Sequence, residues 1–262
     1  MNEINNKEFD GLFARLDDLK KRAVRGEMGI SAFFSPRELH YAQAYLRRTG
    51  MLFILYGGYG EAERKRVYLL PEYMEAVSDA SGLAVYGCEC EIRAVKIRGS
   101  GFVKLSHRDF MGALLCLGLD RGVIGDIITL DEHSAIAFCE EKIAEFIVSE
   151  LKNVGRDRVN CSIVDISSDF CYERSFTTLG DTVASARLDC VVASLCKLSR
   201  EKAQECVAAG KAELDYERCD RPDREVTEGS ILSVRGYGKF RIRSIGEQTR
   251  KGRYRLVADK FL

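Results

Sequence analysis

The chain contains 262 residues, 46% of them hydrophobic, and its 40 basic residues balance 40 acidic residues, so it has no net charge at pH 7. This composition excludes a disordered or fibrous protein and allows two or three globular domains. The charges are unevenly distributed: 17 basic and 13 acidic residues follow residue 180, so the first 180 residues are net acidic. A local basic excess on a neutral protein indicates one polyanion-binding surface.

The apolar segments and the cysteines indicate a cytoplasmic protein. No apolar run approaches eighteen residues and no signal peptide is recognisable, so we expect no membrane span and no membrane partner. Ten cysteines lie mostly within apolar runs and none forms a C-x-x-C pair, which predicts reduced thiols. The closest pair, Cys88 and Cys90, has no second cluster at ligand spacing, so we predict no metal site and no cofactor.

Residues 1–82 are predicted to form a small α+β domain of helices and a hairpin. Apolar residues recur at helical spacing in two segments, and the second begins with a Ser-Pro pair that is typical of a helix N-terminus. A glycine-rich segment between two strand-like runs favours a hairpin turn over a nucleotide loop. The predicted elements are helices at Lys7–Arg25 and Pro36–Arg48 and strands at Met51–Tyr56 and Val67–Leu70.

Residues 83–166 are predicted to form a second domain whose element order is β-α-β-β-α-β, the ferredoxin-like order. RNA-recognition domains share this order, but their aromatic strand signature is absent, so the fold alone does not predict RNA binding here. Residues 167–181 are polar and predict a linker. The predicted elements are strands at Cys90–Ile97, Ile124–Leu130, Ala135–Cys139 and Val159–Ile166 and helices at His107–Leu117 and Glu140–Val154.

The segment His107-Arg108-Asp109 resembles the catalytic loop of protein kinases, but the metal-binding Asn of that loop is replaced by Leu114. Helix capping explains the segment better, because Ser106 precedes the helix and Asp109 lies near its positive end. No nucleophile elbow, zinc-binding helix or phosphate loop is recognisable elsewhere. We therefore predict no catalytic residue and no enzymatic activity.

The strongest functional signal lies in residues 182–262. A first helix, predicted over 187–198, carries Arg187 and Lys197 on its polar flank. A second helix begins at the N-cap Ser199, and its first turn contains Arg200 and Lys202. The first N–H groups of a helix have no partner within the helix, so cations beside them predict a phosphate-binding corner.

Two basic segments follow these helices. Strand alternation places the three cations of segment 239–243 on one side and Phe240 and Ile242 on the other. Segment 251–255 repeats the pattern, and a turn over 246–250 would let the two basic stripes lie side by side. One isolated stripe is explained more simply by a solvated hairpin whose charges aid solubility. Two in-phase stripes beside a basic helical corner favour an RNA-binding surface over a solvated hairpin.

These residues resemble an S4-type RNA-binding domain. The pattern of that family contains R-L-D, then S-R-x-x-A, a helix ended by glycine, and a G-D pair before the final strands. The sequence departs from it at Asp215, where the family usually has Asn, and at Ser230, where it usually has Asp. The matching residues are Arg187-Leu188-Asp189, Ser199-Arg200, Ala203, Gly210 and Gly229.

The upstream residues resemble the YlmH family, in which a helical N-terminal part and a ferredoxin-like domain precede the S4 domain. This resemblance implies binding to ribosomal RNA of the large subunit and to tRNA. It also implies that the protein stabilises P-site peptidyl-tRNA during bacterial ribosome-associated quality control. The residues that carry the resemblance are Ser106–Leu114, Leu117–Leu119, Ile124–Ile127 and Arg235–Phe240.

The combined prediction is a cytoplasmic, monomeric, non-enzymatic α+β protein that binds the ribosome through structured RNA. RNA should be recognised by its shape and backbone, because duplex RNA hides its base edges in a deep groove. The alternatives are an RNA-modifying enzyme that uses the S4 module for delivery, as pseudouridine synthases do, and a protein-interaction scaffold. The predicted RNA-binding residues are Arg187, Lys197, Ser199, Arg200, Lys202, Arg235, Lys239, Arg241 and Arg243.

Overall fold

A computed structural model describes residues 9–166, 170, 172, 176–249 and 252–261. The fold is α+β, and the chain divides into two compact units, Met1–Tyr172 and Glu173–Leu262. The segments predicted as separate domains at 1–82 and 83–166 both fall within the first unit.

The N-terminal part of the first unit has two helices beside a three-stranded antiparallel sheet with the strand order β1-β3-β2. The predicted second helix and its cap are confirmed, because the Glu38 carboxylate accepts a 2.8 Å hydrogen bond from the Ser35 backbone N–H. The start of the first predicted helix, at Lys7, lies outside the described residues. The elements are α1 Asp10–Val24, β1 Gly29–Ile30, α2 Pro36–Thr49, β2 Phe53–Tyr56 and β3 Arg66–Leu69.

The middle part of the first unit has a four-stranded antiparallel sheet with the strand order β5-β6-β4-β9. The second helix of this part, predicted to end at Val154, ends at Glu150. The chain then forms a short strand pair before the last strand of the sheet. The elements are β4 Ile92–Arg98, α3 His107–Cys116, β5 Ile124–Asp131, β6 Ser134–Glu140, α4 Glu141–Glu150, β7 Asn153–Val154, β8 Asp157–Arg158 and β9 Asn160–Val164.

Buried polar contacts join the N-terminal and middle parts. The Asp126 carboxylate in β5 accepts hydrogen bonds from Tyr59 Oη at 2.8 Å, from the Glu63 N–H at 2.7 Å and from the Arg64 N–H at 3.0 Å. The Arg64 guanidinium is also buried and donates to the Ile124 carbonyl at 3.0 Å. A buried charge is stable only when such partners surround it, so these two parts depend on each other.

The second unit is a six-stranded antiparallel sheet with the strand order β10-β15-β14-β13-β11-β12. Two helices pack on one face of this sheet through a shared apolar core that includes Val191, Val207, Phe240 and Ile242. The elements are β10 Phe176–Val183, α5 Leu188–Cys196, α6 Arg200–Ala208, β11 Ala212–Leu214, β12 Glu217–Cys219, β13 Ile231–Val234, β14 Gly238–Gln248 and β15 Tyr254–Phe261.

The predicted linker at 167–181 is wrong at its C-terminal end. Strand β10 begins at Phe176 and pairs along its whole length with β15, from Phe176 opposite Phe261 to Val183 opposite Tyr254. The segment looked like a linker because few of its side chains are apolar. Its backbone hydrogen bonds are satisfied by a partner strand that is distant in the sequence.

Candidate nucleic-acid interface

The two sequence motifs of the second unit meet at one buried carboxylate. Asp189, in the first turn of α5, is 0% exposed. Its Oδ1 lies 3.2 Å from Arg187 Nε, and its Oδ2 lies 3.4 Å from Arg200 Nε and 2.8 Å from Gln204 Nε2. The R-L-D segment and the S-R-x-x-A segment are therefore held together by Asp189, which brings the guanidinium groups of both segments to one place.

The Asp189 carboxylate is charged at neutral pH and orients two cations without hiding them. Burial acts to raise the pKa of Asp189, but hydrogen bonds from Arg187 and Gln204 outweigh it and place the pKa at about 2. The side chains of Arg187 and Arg200 remain 41% and 60% exposed. Ion pairs of exposed cations are weak, so both guanidinium groups can still interact with phosphate.

The remaining predicted residues of the helical corner lie at the junction between α5 and α6. Lys197 ends α5 in a left-handed conformation, and its Nζ lies 3.3 Å from Asp181 Oδ2. Ser199 caps α6 as predicted, because its Oγ accepts a 3.3 Å hydrogen bond from the Lys202 N–H. We use the name helical corner for the predicted residues of this region, which are Arg187, Lys197, Ser199, Arg200 and Lys202.

One cation of the second basic stripe joins the helical corner. Arg253 and Arg200 line the same open groove, together with Cys190, Ala193 and Ser194 of α5 and the end of β10. The Arg253 guanidinium is held there by Thr182, with Nε 3.0 Å from the hydroxyl and Nη2 2.5 Å from the carbonyl. The sequence predicted Arg253 only as part of a strand stripe, because its neighbour Thr182 is 71 residues away.

The three cations of segment 239–243 lie on the opposite side of the sheet from the helices. Phe240 and Ile242 are buried in the core beneath α5 and α6, so the alternating side chains of Lys239, Arg241 and Arg243 point away from that core. The predicted alternation is confirmed, but the expected position of this stripe beside the helical corner is wrong. We call this second region the outer sheet face; it comprises Phe176, Lys239, Arg241, Arg243 and Phe261.

The two predicted basic stripes do not lie side by side. Arg241 pairs with Asp259, whereas Tyr254 pairs with Gln248 at the far end of the same hairpin. The register of the β14–β15 pairing shifts between Ile242 and Ser244 and again between Ile245 and Gln248. Each β-bulge shifts the pairing of the strands, which the sequence pattern could not indicate. Lys251, a member of the second stripe, lies outside the described residues.

Asp259 is the acidic neighbour of the outer sheet face. It is buried, forms an ion pair with Arg243 and accepts a 2.8 Å hydrogen bond from Thr178 Oγ1. Burial acts to raise the pKa of Asp259, and the contacts with Arg243 and Thr178 outweigh it, so the pKa is lowered.

Arg235 belongs to neither surface; it is exposed in the turn between β13 and β14, where its N–H donates to the Lys211 carbonyl at 2.9 Å.

The two departures from the S4 pattern contact each other. Ser230 Oγ donates a 3.0 Å hydrogen bond to Asp215 Oδ2, and the Ile231 N–H donates to Asp215 Oδ1 at 2.9 Å. Asp215 has a φ of 51° in the turn between β11 and β12, a conformation that Asn and Asp tolerate better than most residues. The two positions that depart from the S4 pattern are therefore joined by a hydrogen bond in which residue 230 is the donor.

The sheet of the middle part does not offer the face that RNA-recognition domains use for stacking. Phe138 packs against Tyr59, with ring centroids 5.0 Å apart, and Ala62 belongs to the same buried cluster. The N-terminal part therefore covers this sheet face.

The helix start at Ser106 is a cap, as predicted: the Asp109 carboxylate accepts hydrogen bonds from the Ser106 N–H at 2.8 Å and from its hydroxyl at 2.6 Å. Asp109 therefore stabilises the start of the helix.

The described cysteines and acidic residues offer no metal cluster. The nine cysteines within the described ranges are free, and burial raises the pKa of Cys90 to about 11. Across the same ranges, no group of three or more His, Cys, Asp or Glu side chains is placed to hold a metal ion. No described helix is both long enough and apolar enough to cross a bilayer.

Residues 89–168 match the family model described as "Putative RNA-binding domain in YlmH". The chain is 30% identical over 243 residues to Ribosome-associated protein quality control protein P2 of Bacillus subtilis (strain 168), across 92% of this chain and 91% of that protein. Among solved structures, Cell division protein ylmH from Streptococcus pneumoniae matches with a TM-score of 0.48 and 22% identity, over 63% of this chain and 93% of that chain.

These similarities define a class of RNA-binding proteins with a ribosome-associated member. The chain belongs to the YlmH family, which confirms the family predicted from its motifs. The matched RNA-binding model covers the middle part, whereas all nine predicted RNA-binding residues lie in the second unit.

Proposed function

We propose that this protein is a non-enzymatic RNA-binding factor that associates with the large ribosomal subunit and stabilises P-site peptidyl-tRNA during ribosome-associated quality control. It would act as a cytoplasmic monomer that contacts ribosomal RNA and tRNA. The observation that carries the proposal is the meeting of Arg187 and Arg200 at the buried Asp189. The name of the Bacillus subtilis relative supports the cellular setting.

The second unit would be the S4-type module that grips the phosphate backbone. Helix α6 begins at Ser199 with exposed Arg200 and Lys202 in its first turn, so two cations lie close to the positive end of the helix dipole. Arg253 lines the groove beside Arg200 and would contact a neighbouring phosphate. Such contacts read the shape of folded RNA and carry little sequence information.

The middle part would be a ferredoxin-like domain that adds a second RNA contact. Its strand order, β5-β6-β4-β9, supports this fold assignment, and the family model matched there describes RNA binding. Because Tyr59 and Ala62 pack on one face of its sheet, the contact would use other surfaces of the domain. The two units together would engage RNA at more than one point.

Sedimentation with purified ribosomal subunits tests the proposal. The protein should migrate with large subunits and be depleted from small-subunit fractions. If about six phosphates are neutralised, the logarithm of the binding constant should fall with the logarithm of salt concentration at a slope of about −4 to −5. A slope near zero, or equal migration with both subunits, would contradict the proposal.

Nucleoside mass spectrometry tests the non-enzymatic part separately. Ribosomal RNA and tRNA incubated with the protein should contain the same nucleosides as untreated RNA. A new modified nucleoside would show that the chain is an RNA-modifying enzyme.

A further inference from the structure

The outer sheet face combines one exposed and one half-buried phenylalanine ring with cations, on the side of the sheet away from the helical corner. We propose that this face binds unpaired RNA nucleotides, with bases stacked on Phe176 and Phe261 and phosphates on the neighbouring cations. The proposal goes beyond the proposed function, which requires only that the helical corner grips folded RNA.

The two phenylalanines form a cross-strand pair. Phe176 at the start of β10 lies directly opposite Phe261 at the end of β15, so both side chains point to the same face. Phe176 is 45% exposed and Phe261 is half-buried, although both are large apolar residues on a regular sheet. Their rings therefore present apolar surface to solvent at adjacent positions, and such a surface suits the flat faces of nucleobases.

One cation lies over the Phe176 ring and two lie over the Phe261 ring. Arg243 Cζ lies 5.3 Å from the centroid of the Phe176 ring. Arg241 Cζ and Lys239 Nζ lie 5.6 Å and 5.4 Å from the centroid of the Phe261 ring. These distances are within the range of cation–π contacts, which hold long side chains in fixed positions. A base that stacks on either ring would have its phosphate within reach of a guanidinium or ammonium group.

The charge of the face fits a polyanion. Three cations of β14 point outward, and Asp259, which lies opposite Arg241, is buried and paired with Arg243. Glu213 lies farther along the sheet, opposite Ser233, which in turn pairs with Lys239. Aromatic rings beside three cations, with Asp259 already neutralised by Arg243, together favour nucleic acid over an acidic or apolar peptide segment.

Single-stranded RNA is the occupant that the geometry selects. The bases of a duplex are already stacked on each other and cannot lie on protein rings, whereas unpaired bases are free to do so. The sheet of the middle part is covered by Tyr59 and Ala62 and cannot serve this role on that face. The outer sheet face would therefore recognise a loop, bulge or end of the same RNA that the helical corner holds by its backbone.

Fluorescence anisotropy with the full chain tests the inference. The probes are a labelled oligoadenylate of about twelve nucleotides and a duplex RNA of the same length. Phe176→Leu combined with Phe261→Leu keeps apolar bulk in both strands but removes both π-faces. Oligoadenylate affinity should fall about tenfold or more, and duplex affinity should stay the same. Arg200→Ala should produce the opposite pattern, and Phe261→Tyr should retain oligoadenylate binding.

Ultraviolet crosslinking supplies a readout that does not depend on stability. Oligoadenylate crosslinks should map to the peptides that contain Phe176 or Phe261. Unchanged oligoadenylate affinity in the folded double variant, absent binding by the unmodified chain, or crosslinks confined to other segments would overturn the inference. Failure of the proposed function is a separate result, because loss of ribosome binding leaves the oligoadenylate assay unaffected.

Discussion

Asp189 Oδ2 lies 3.4 Å from Arg200 Nε, and this contact joins the first turn of α5 to the first turn of α6. The carboxylate is fully buried, whereas the guanidinium is mostly exposed. The buried carboxylate of Asp189 thus fixes the positions of two exposed cations, Arg187 and Arg200. The arrangement lowers the mobility of both cations, so that less entropy is lost when they bind phosphate.

Asp189→Asn should destabilise the second unit by about 2 kcal/mol at neutral pH, because a pKa lowered from 3.8 to about 2 corresponds to that much stabilisation of the charged form. Urea unfolding followed by circular dichroism measures the loss. Asp181→Asn is the matched control; Asp181 also pairs with a cation, Lys197, but is partly exposed, so the loss of stability should be smaller. Equal losses in the two variants would contradict a special role for Asp189.

The contribution of Asp189 should depend on pH in a defined direction. Its pKa is lower in the folded chain than in the unfolded chain, so the stabilisation is fully present above about pH 4 and is lost as the pH falls toward 2. The difference in unfolding free energy between the unmodified protein and Asp189→Asn should therefore shrink between pH 5 and pH 2. Urea titrations at several pH values measure it, and a constant difference would disprove the assignment.

Arg200→Ala should weaken binding to structured RNAs of different sequence by a similar factor, because a phosphate contact carries no base information. The salt slope should become shallower by about one unit. Filter binding to several RNA hairpins at a series of salt concentrations measures both quantities. Lys211→Ala removes an exposed cation just after α6 and outside the predicted set, so it serves as the control of equal charge. Loss confined to one hairpin would indicate base recognition instead.

Asp126→Ala should destabilise the first unit by about 3 kcal/mol or more, because it removes the acceptor of the buried Tyr59 and Arg64 donors and of the partly buried Glu63 N–H. Thermal unfolding measures the loss, and the exchange rate of the Glu63 amide shows whether the connection between the two parts has opened. Glu132→Gln changes an exposed acid paired with Lys104 in the same part and should have little effect. Equal melting temperatures of the two variants would count against this connection.

A double-mutant cycle should show that Asp215 and Ser230 act as a pair. Ser230→Asp alone places a second carboxylate against Asp215 in a site where residue 230 is buried, so stability should fall. Asp215→Asn added to that change restores the donor and acceptor of the S4 pattern. The double variant should be close to the unmodified protein, with a coupling energy of about 1–3 kcal/mol from urea unfolding. Additive losses would show that the two positions are independent.

Local features of the sequence were sufficient to predict most helices and the sides of several strands. The caps at Ser35 and Ser106 act within one helical turn, so the residues that define them are neighbours in the chain. The alternation around Phe240 and Ile242 likewise depends only on the pleat of one strand. The cations at Arg187 and Arg200 were recognisable because each belongs to a short motif.

Only the tertiary structure decided which of these features face each other. Strand β10 forms because β15 supplies hydrogen-bond partners, and its own sequence lacks the apolar alternation that would have predicted a strand. Register irregularities in the β14–β15 hairpin separate the basic stripes, and the core beneath Phe240 directs Lys239 and Arg241 away from the helical corner. Arg253 joins Arg200 through Thr182. Local sequence determines turns, caps and faces, whereas pairing between distant segments depends on burial and hydrogen bonding summed over the whole fold.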